Sequence, residues 1–291
     1  PLNAVQWGQN GATAANRPFP TWQQITMFFT AARSTYDSLQ LKFEKRQSHG
    51  LYFLGSYTFA NALEEAGGWA AGGHAIQDNV LPDYSHLDSV LRAARGPNTQ
   101  VARHRLTLTQ VWQLPIGRNR AIGGNMSPVL DALVGGWQLS SVTSFRTGMP
   151  VDVTLASSGT NPATGQTYSF LNRNGGGILP DATGIDPNSN SSTDDLLHWL
   201  NPAAYAVQAV NTPGNARPVS AWGPGALTTD LSLVKRFTFN AFTADFRAEA
   251  FNLFNTVNYG NPNGSFGSAS FGQITTAGDP RIIQRAVRIG F

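Results

Sequence analysis

Asp186-Pro-Asn-Ser-Asn-Ser-Ser-Thr-Asp194 sets oxygen-bearing side chains at its first, third, fifth, seventh and ninth positions, the alternation of a calcium-binding loop. Ser191 stands where the sharp-turn glycine belongs and Leu197 where the bidentate glutamate belongs. Asp186, Asn188, Asn190 and Asp194 are therefore weak metal candidates, and a solvated Asn/Ser loop is the better reading. His74, Asp78, Asp83, His86 and Asp88 could together hold a transition metal, but their spacing follows no metal motif. His198 beside Asp194 and Asp195 is a similar case. The adjacent pair Glu64-Glu65 offers the two carboxylates of a glycosidase, yet it lies in a Gly-rich stretch and reads as solvated. No Gly-x-Ser-x-Gly elbow occurs, and Gly175-Gly-Gly177 lacks the Lys-Ser/Thr of a phosphate cradle. The residues offer no catalytic site, no cofactor site and no firm metal site, so an enzyme is not expected.

The composition narrows what must position these residues. Only 13% of the 291 residues are charged, about half the usual globular share. With no cysteine, disulfide scaffolds, thiolate metal sites and thiol nucleophiles are excluded. The net charge of +3 is scattered among strand-like segments rather than gathered in a stripe, which argues against nucleic acid as a partner. No apolar run of ~18 residues is present, so no transmembrane helix is expected; a closed β-barrel would need none. A chain that begins at Pro1 is expected to be a processed product or a piece of a longer one.

Alternation with a period of two dominates the pattern. Residues 1–20 read as loop. Strands are expected near 22–30, 36–46, 51–61, 103–114, 136–155, 228–239, 241–254 and 280–291, within one region covering 1–291. In the second, Leu39, Leu41 and Phe43 alternate with Ser38, Gln40, Lys42 and Glu44; in the seventh, Phe242, Ala244, Phe246, Ala248 and Ala250 alternate with Thr243, Asp245, Arg247 and Glu249. The connections alternate too. Short or medium ones fall near 47, 115–132 and 240, and long ones over 62–100, 156–227 and 255–279.

The last strand, Arg281-Ile-Ile-Gln-Arg-Ala-Val-Arg-Ile-Gly-Phe291, places Ile283, Val287, Ile289 and Phe291 on one side, interrupted by Arg285. One apolar and one polar side suit either an antiparallel sheet with a solvated face or a membrane barrel with a polar inside. The sorting of connections by length, and Trp22, Trp112, Trp137, Tyr57, Phe59 and Phe291 near strand ends, favour the barrel. Lys42, Glu44, Arg105, Asp245, Arg247 and Glu249 would then face the lumen, since a basic side chain at the lipid midplane costs about 2–4 kcal/mol.

Several phrases resemble the C-terminal part of TonB-dependent receptor-like outer-membrane proteins, the kind with an N-terminal carboxypeptidase-regulatory-like domain. They are Tyr36-Asp-Ser-Leu-Gln-Leu-Lys-Phe-Glu-Lys-Arg46 with Gly50-Leu-Tyr-Phe-Leu-Gly-Ser-Tyr-Thr58, His104-Arg-Leu with Leu114-Pro-Ile-Gly117, Gly135-Gly-Trp-Gln-Leu139, Trp199-Leu-Asn-Pro-Ala-Ala-Tyr205, Gly223-Pro-Gly225, Asp230-Leu-Ser-Leu-Val-Lys-Arg-Phe237, Arg247-Ala-Glu-Ala-Phe-Asn-Leu-Phe-Asn255 and the terminal strand. The resemblance implies an all-β fold: an antiparallel transmembrane barrel segment of about eight strands, part of a larger barrel of 22. It implies location in the cell outer membrane and a role in nutrient uptake. It makes Ile283, Val287, Ile289 and Phe291 the signal read by the barrel assembly machinery. Expected partners are outer-membrane lipid, that machinery, and either the remaining strands and plug of a longer chain or further copies of this one. Eight strands of such a barrel form a sheet with two open edges, and open edges recruit strands. The alternative is therefore a structural β-rich fragment that assembles edge to edge into an extracellular ring, tube or filament. A third reading is a soluble secreted β-sandwich that binds carbohydrate through its Trp and Asn-rich loops.

Overall fold

The fold is taken from a computed structural model, which describes residues 32–65, 95–155, 179–208, 214–239 and 242–291 together with a few positions between them. The expected strand near 22–30 lies outside the described residues.

Seven long strands carry the fold: β1 (Ser34–Ser48), β2 (Leu51–Glu64), β3 (His104–Gln113), β4 (Trp137–Arg146), β5 (Ala226–Thr238), β6 (Thr243–Phe251) and β7 (Ile282–Gly290). Each pairs antiparallel with the next in the chain, so the sheet is a meander with β1 and β7 at its ends. The piece Gly96–Pro97 adds to the end of β2. Local chemistry starts the meander. His49 and Gly50 both take positive φ, 53° and 80°, which is the twist a two-residue hairpin turn needs.

The registers keep the alternation in step from strand to strand. Leu41, Tyr57, Leu106, Phe145 and Leu227 oppose one another in a row across β1 to β5. Lys42, Ser56, Thr107, Ser144 and Thr228 form the adjacent row on the other face. A slip of one residue in any pairing would invert a whole strand. The result is a sheet with one apolar and one polar face, and at its ends the apolar face is open: Leu39, Leu41 and Phe43 are 54–64% exposed, and Ile283, Val287 and Ile289 are 54–63% exposed.

Two expectations need correction. The barrel is the first. Among the described residues β1 and β7 do not pair, and the sheet is open, accompanied by four separate two-stranded sheets. β1 is exposed along its whole length. The fold class is an open antiparallel β-sheet architecture, not a closed transmembrane barrel. The expected strand 136–155 is the second. It ends at Arg146, and Pro150–Val151 pairs instead with Ala221–Trp222. Where the chain turns off, Gly148 passes Gly223 so closely that a Cβ there would lie 1.8 Å from the Gly223 carbonyl oxygen, so the position requires glycine.

The packed core lies away from the sheet faces. Connections β1–β2, β3–β4 and β5–β6 fall at one end of the meander, and the described parts of the β4–β5 and β6–β7 connections fall at the other. The long ones hold the cluster Val151, Val153, Leu155, Trp199, Leu200, Ala204, Tyr205, Ala216, Ala221, Phe266, Phe271 and Ile274. Tyr205, Phe266 and Phe271 form its centre, with ring centroids 5.2–6.0 Å apart. Helix α1 (Pro128–Val134) stands at the opposite end, capped by Ser127, whose Oγ accepts from Leu130 N at 3.3 Å.

At the first hairpin, an added Cβ on Gly50 would meet Gln113 O at 2.8 Å as well as requiring the left-handed conformation. Gly50→Ala is expected to lower stability by roughly 1–2 kcal/mol in chemical denaturation, with an unchanged denaturant slope.

Candidate functional site

The chemistry-bearing feature of an open sheet is its unpaired backbone. Glu65 N donates to Arg33 O at 3.0 Å, so odd-numbered residues of β1 turn their peptide groups toward β2. Even-numbered residues, Ser34 to Glu44, therefore turn theirs outward along the open edge. At the other end, Phe239 N donates to Phe242 O at 2.8 Å, which aims the even residues of β6 at β5 and its odd residues at β7. Combined with the pairing of Asp245 to Arg288, this leaves Ile283, Arg285, Val287 and Ile289 with outward peptide groups on β7. Both edges are thus donor–acceptor rows beside an exposed apolar row.

The residues Lys42, Glu44, Arg105, Asp245, Arg247 and Glu249 share the polar face by register. Lys42 Nζ lies 2.9 Å from Glu44. Arg236 donates twice to Asp245, at 2.6 and 2.9 Å, and this holds the Asp245 carboxyl below the usual carboxylate range. Glu249 accepts from Gln284 Nε2 at 2.6 Å and from Ser232 Oγ at 3.3 Å. These pairs are solvated and contribute little individually. Because the sheet is open, the face borders no closed lumen among the described residues. Ile283, Val287 and Ile289 lie on the apolar side of β7, and Phe291 follows it with its ring 6.4 Å from that of Phe242.

The metal candidates are engaged in the fold. Asn188 Nδ2 donates to Ser191 Oγ and Trp222 O at 2.8 and 2.7 Å, and its Oδ1 accepts from Trp222 N at 2.9 Å. Asp186 Oδ1 accepts from Asn188 N at 2.9 Å. This loop is a peg that ties residues 186–191 to Trp222. Asn190 and Asp194 belong to the same turn-rich stretch. His198 Nδ1 donates to Asp195 at 2.9 Å, and that bond draws the Asp195 carboxyl down. His74, Asp78, Asp83, His86 and Asp88 lie outside the described residues. Among the described residues no group of three or more His, Asp or Glu is placed to hold a metal ion.

Glu64 and Glu65, read from the sequence as solvated, are buried at 8% and 2% exposure. Glu65 Oε2 accepts from Arg33 N at 3.0 Å and Glu64 Oε2 from Asn98 Nδ2 at 2.8 Å, so they stitch the end of β2 to its neighbours. Lys235 also escaped notice. Buried at 4% exposure, it donates to the carbonyls of Gly135 and Asp131 at the C-terminal end of α1, beneath the rings of Trp137 and Phe237. Asn252, with φ of 50°, donates to Thr256 O and Asp279 O at 2.9 and 3.2 Å. No period marks such residues, since their partners are remote in sequence.

An open antiparallel β-sheet domain with two unpaired edge strands among the described residues is the class these features define. The family model described as "Outer membrane beta barrel domain" matches residues 1–284, and the chain belongs to that family. No curated protein and no solved structure matches it. The chain is not an enzyme. The narrower likeness to TonB-dependent receptor barrels is overturned by the unclosed sheet, because a receptor barrel needs its first and last strands joined. Nutrient transport goes with it, since an open sheet encloses no pore. Outer-membrane lipid and the barrel assembly machinery as partners, and the cell outer membrane as location, rested on the same closure and are withdrawn; lipid-exposed open edges do not occur within a bilayer.

Tyr205 anchors the packed cluster of the long connections, which caps one end of the sheet. Its hydroxyl bonds Ser220 Oγ at 2.6 Å, and burial pushes its pKa up to about 12. The unfolded chain ionises this group near 10 while the folded chain keeps it neutral, so stability is present below about pH 10 and falls as pH rises toward 12. The loss is roughly 2–3 kcal/mol over that window. Thermal melts are expected to show this alkaline fall in the wild type and a shallower one in Tyr205→Phe. Asn188→Ala is expected to cost about 1–3 kcal/mol by removing the peg to Trp222.

Proposed function

We propose that this protein is a structural β-sheet domain that assembles edge to edge into a ring, tube or filament. The observation that carries the reading is the pair of open edges. β1 is exposed over all 15 residues, and β7 is exposed except at Gly290. Rows of unpaired N–H and C=O groups template added strands, and long strands with an exposed apolar row beside them are strong templates. Neither edge is shortened, and no proline lies in β1 or β7.

The cap supports the same role. A packed loop cluster at one end of the sheet gives the domain its own core, so the sheet need not be covered on both faces for the chain to fold. Each added strand pairing would satisfy the outward peptide groups and continue both faces of the sheet into the next copy.

Size-exclusion chromatography with light scattering tests this on the full chain. The wild type is expected to run well above its 31.2 kDa monomer mass in detergent-free buffer. Gln40→Pro with Arg285→Pro, which removes one outward N–H from each edge and no inward one, is expected to run as a monomer. A wild-type chain that stays a monodisperse monomer at micromolar concentration, with or without detergent, overturns the proposal.

A further inference from the structure

Resting on that edge-assembly reading, we infer that the first contact is an antiparallel two-fold pairing of β1 with β1 of a second copy, centred on Leu41.

Strand direction comes first. Seven antiparallel strands form the meander, so β1 and β7 run the same way. Adding β7 of one copy to β1 of the next in the plane of the sheet would make a parallel junction, the less stable kind per residue. A two-fold axis through an edge makes the junction antiparallel without any change in the chain.

Charge then separates the two edges. β7, with Arg281 just before it, carries Arg285 and Arg288 and no acidic residue, so a β7–β7 contact brings together cations only. β1 carries Asp37 and Glu44 toward opposite ends, with Lys42, Lys45 and Arg46. An antiparallel copy lays one end against the other.

Backbone parity sets the register. Only even residues of β1 face outward, so even must pair with even and odd with odd. With Leu41 opposite Leu41 of the second copy, Leu39 opposes Phe43, and Asp37 opposes Lys45. On the other face Gln40 opposes Lys42 and Ser38 opposes Glu44. The even pairs exchange two backbone hydrogen bonds each. Moving the centre by one residue in either direction sets Asp37 against Phe43 or Lys45 against Leu39. Centring on Leu39 or Phe43 sets Asp37 or Lys45 against Leu41. The Leu41-centred register is the one that matches all three apolar residues and the charged pair together.

This contact joins two sheets into one and leaves a β7 at each outer end. Growth past the dimer then requires the all-cationic β7–β7 contact, which added salt favours by screening.

The chain has no cysteine, so single substitutions report on the contact cleanly. Directly opposed residues of a non-hydrogen-bonded pair have Cα atoms about 4.5 Å apart, within disulfide range. On mild oxidation of the full chain, Leu41→Cys is expected to run almost wholly as a disulfide dimer, while Gln40→Cys and Ile289→Cys stay monomeric on non-reducing gels. Asp37→Lys should weaken dimerisation about tenfold or more, and Asp37→Lys with Lys45→Asp should restore it. Assembly by light scattering without Leu41→Cys linkage, but with linkage between mixed Leu41→Cys and Val287→Cys chains, overturns this contact in favour of head-to-tail growth. Assembly with no linkage at position 41, together with linkage of Leu41→Cys to a cysteine placed within residues 22–30 of the same chain, overturns it in favour of an internal strand. A monomer at every concentration removes the assembly reading itself.

Discussion

Every backbone N–H and C=O that leaves water must find a partner, and this one constraint organises the molecule. Inside the meander it is met strand by strand, through antiparallel registers that run without a break from β1 to β7. At the two ends it is not met within the described residues. The outward peptide groups of Ser34 to Glu44 and of Ile283 to Ile289 are what separate this sheet from a barrel of the same strand pattern.

The hydrophobic effect acts in two places. In the long connections it gathers Val153, Leu200, Tyr205, Ala221 and Phe266, all at 3% exposure or less, into a core that holds one end of the sheet. On the sheet it aligns apolar rows that are less exposed in the middle than at the edges, where Leu39, Leu41 and Phe43 are 54–64% exposed. An exposed apolar surface of this extent beside unpaired strands belongs to a protein built for contact. Membership of the outer membrane barrel domain family fits this, since such strands are made to be joined to others. Among the described residues, the strands of this sheet are joined only to one another, and β1 and β7 have no partner on their outer sides.

Much of the fold was legible from residue order. The period of two points to the strands, because each alternation is local, but it carries the fourth of them nine residues past Arg146. By register Lys42, Glu44, Arg105, Asp245, Arg247 and Glu249 share one face, since parity carries from strand to strand. The cap was not legible. Its members are scattered from Val151 to Ile274 among Gly, Asn, Ser and Pro, with no repeat to announce them; Val151, Val153 and Leu155 fell in the expected strand 136–155 and the others in the expected long loops 156–227 and 255–279. The same holds for Glu65 and Lys235. Their burial depends on Arg33, and on Gly135 and Trp137, placed beside them by the fold.

What residue order determined by itself was therefore one-dimensional: most of the strand positions, the two faces and a short connection near residue 47. Closure was decided only in three dimensions. Alternation is identical in a sheet and in a barrel, because the side-chain period along a strand does not register whether the first and last strands meet. That depends on hydrogen bonds between the two ends of the meander, which no local pattern encodes. Among the described residues the tertiary structure leaves β1 and β7 apart, and the sheet keeps two open edges.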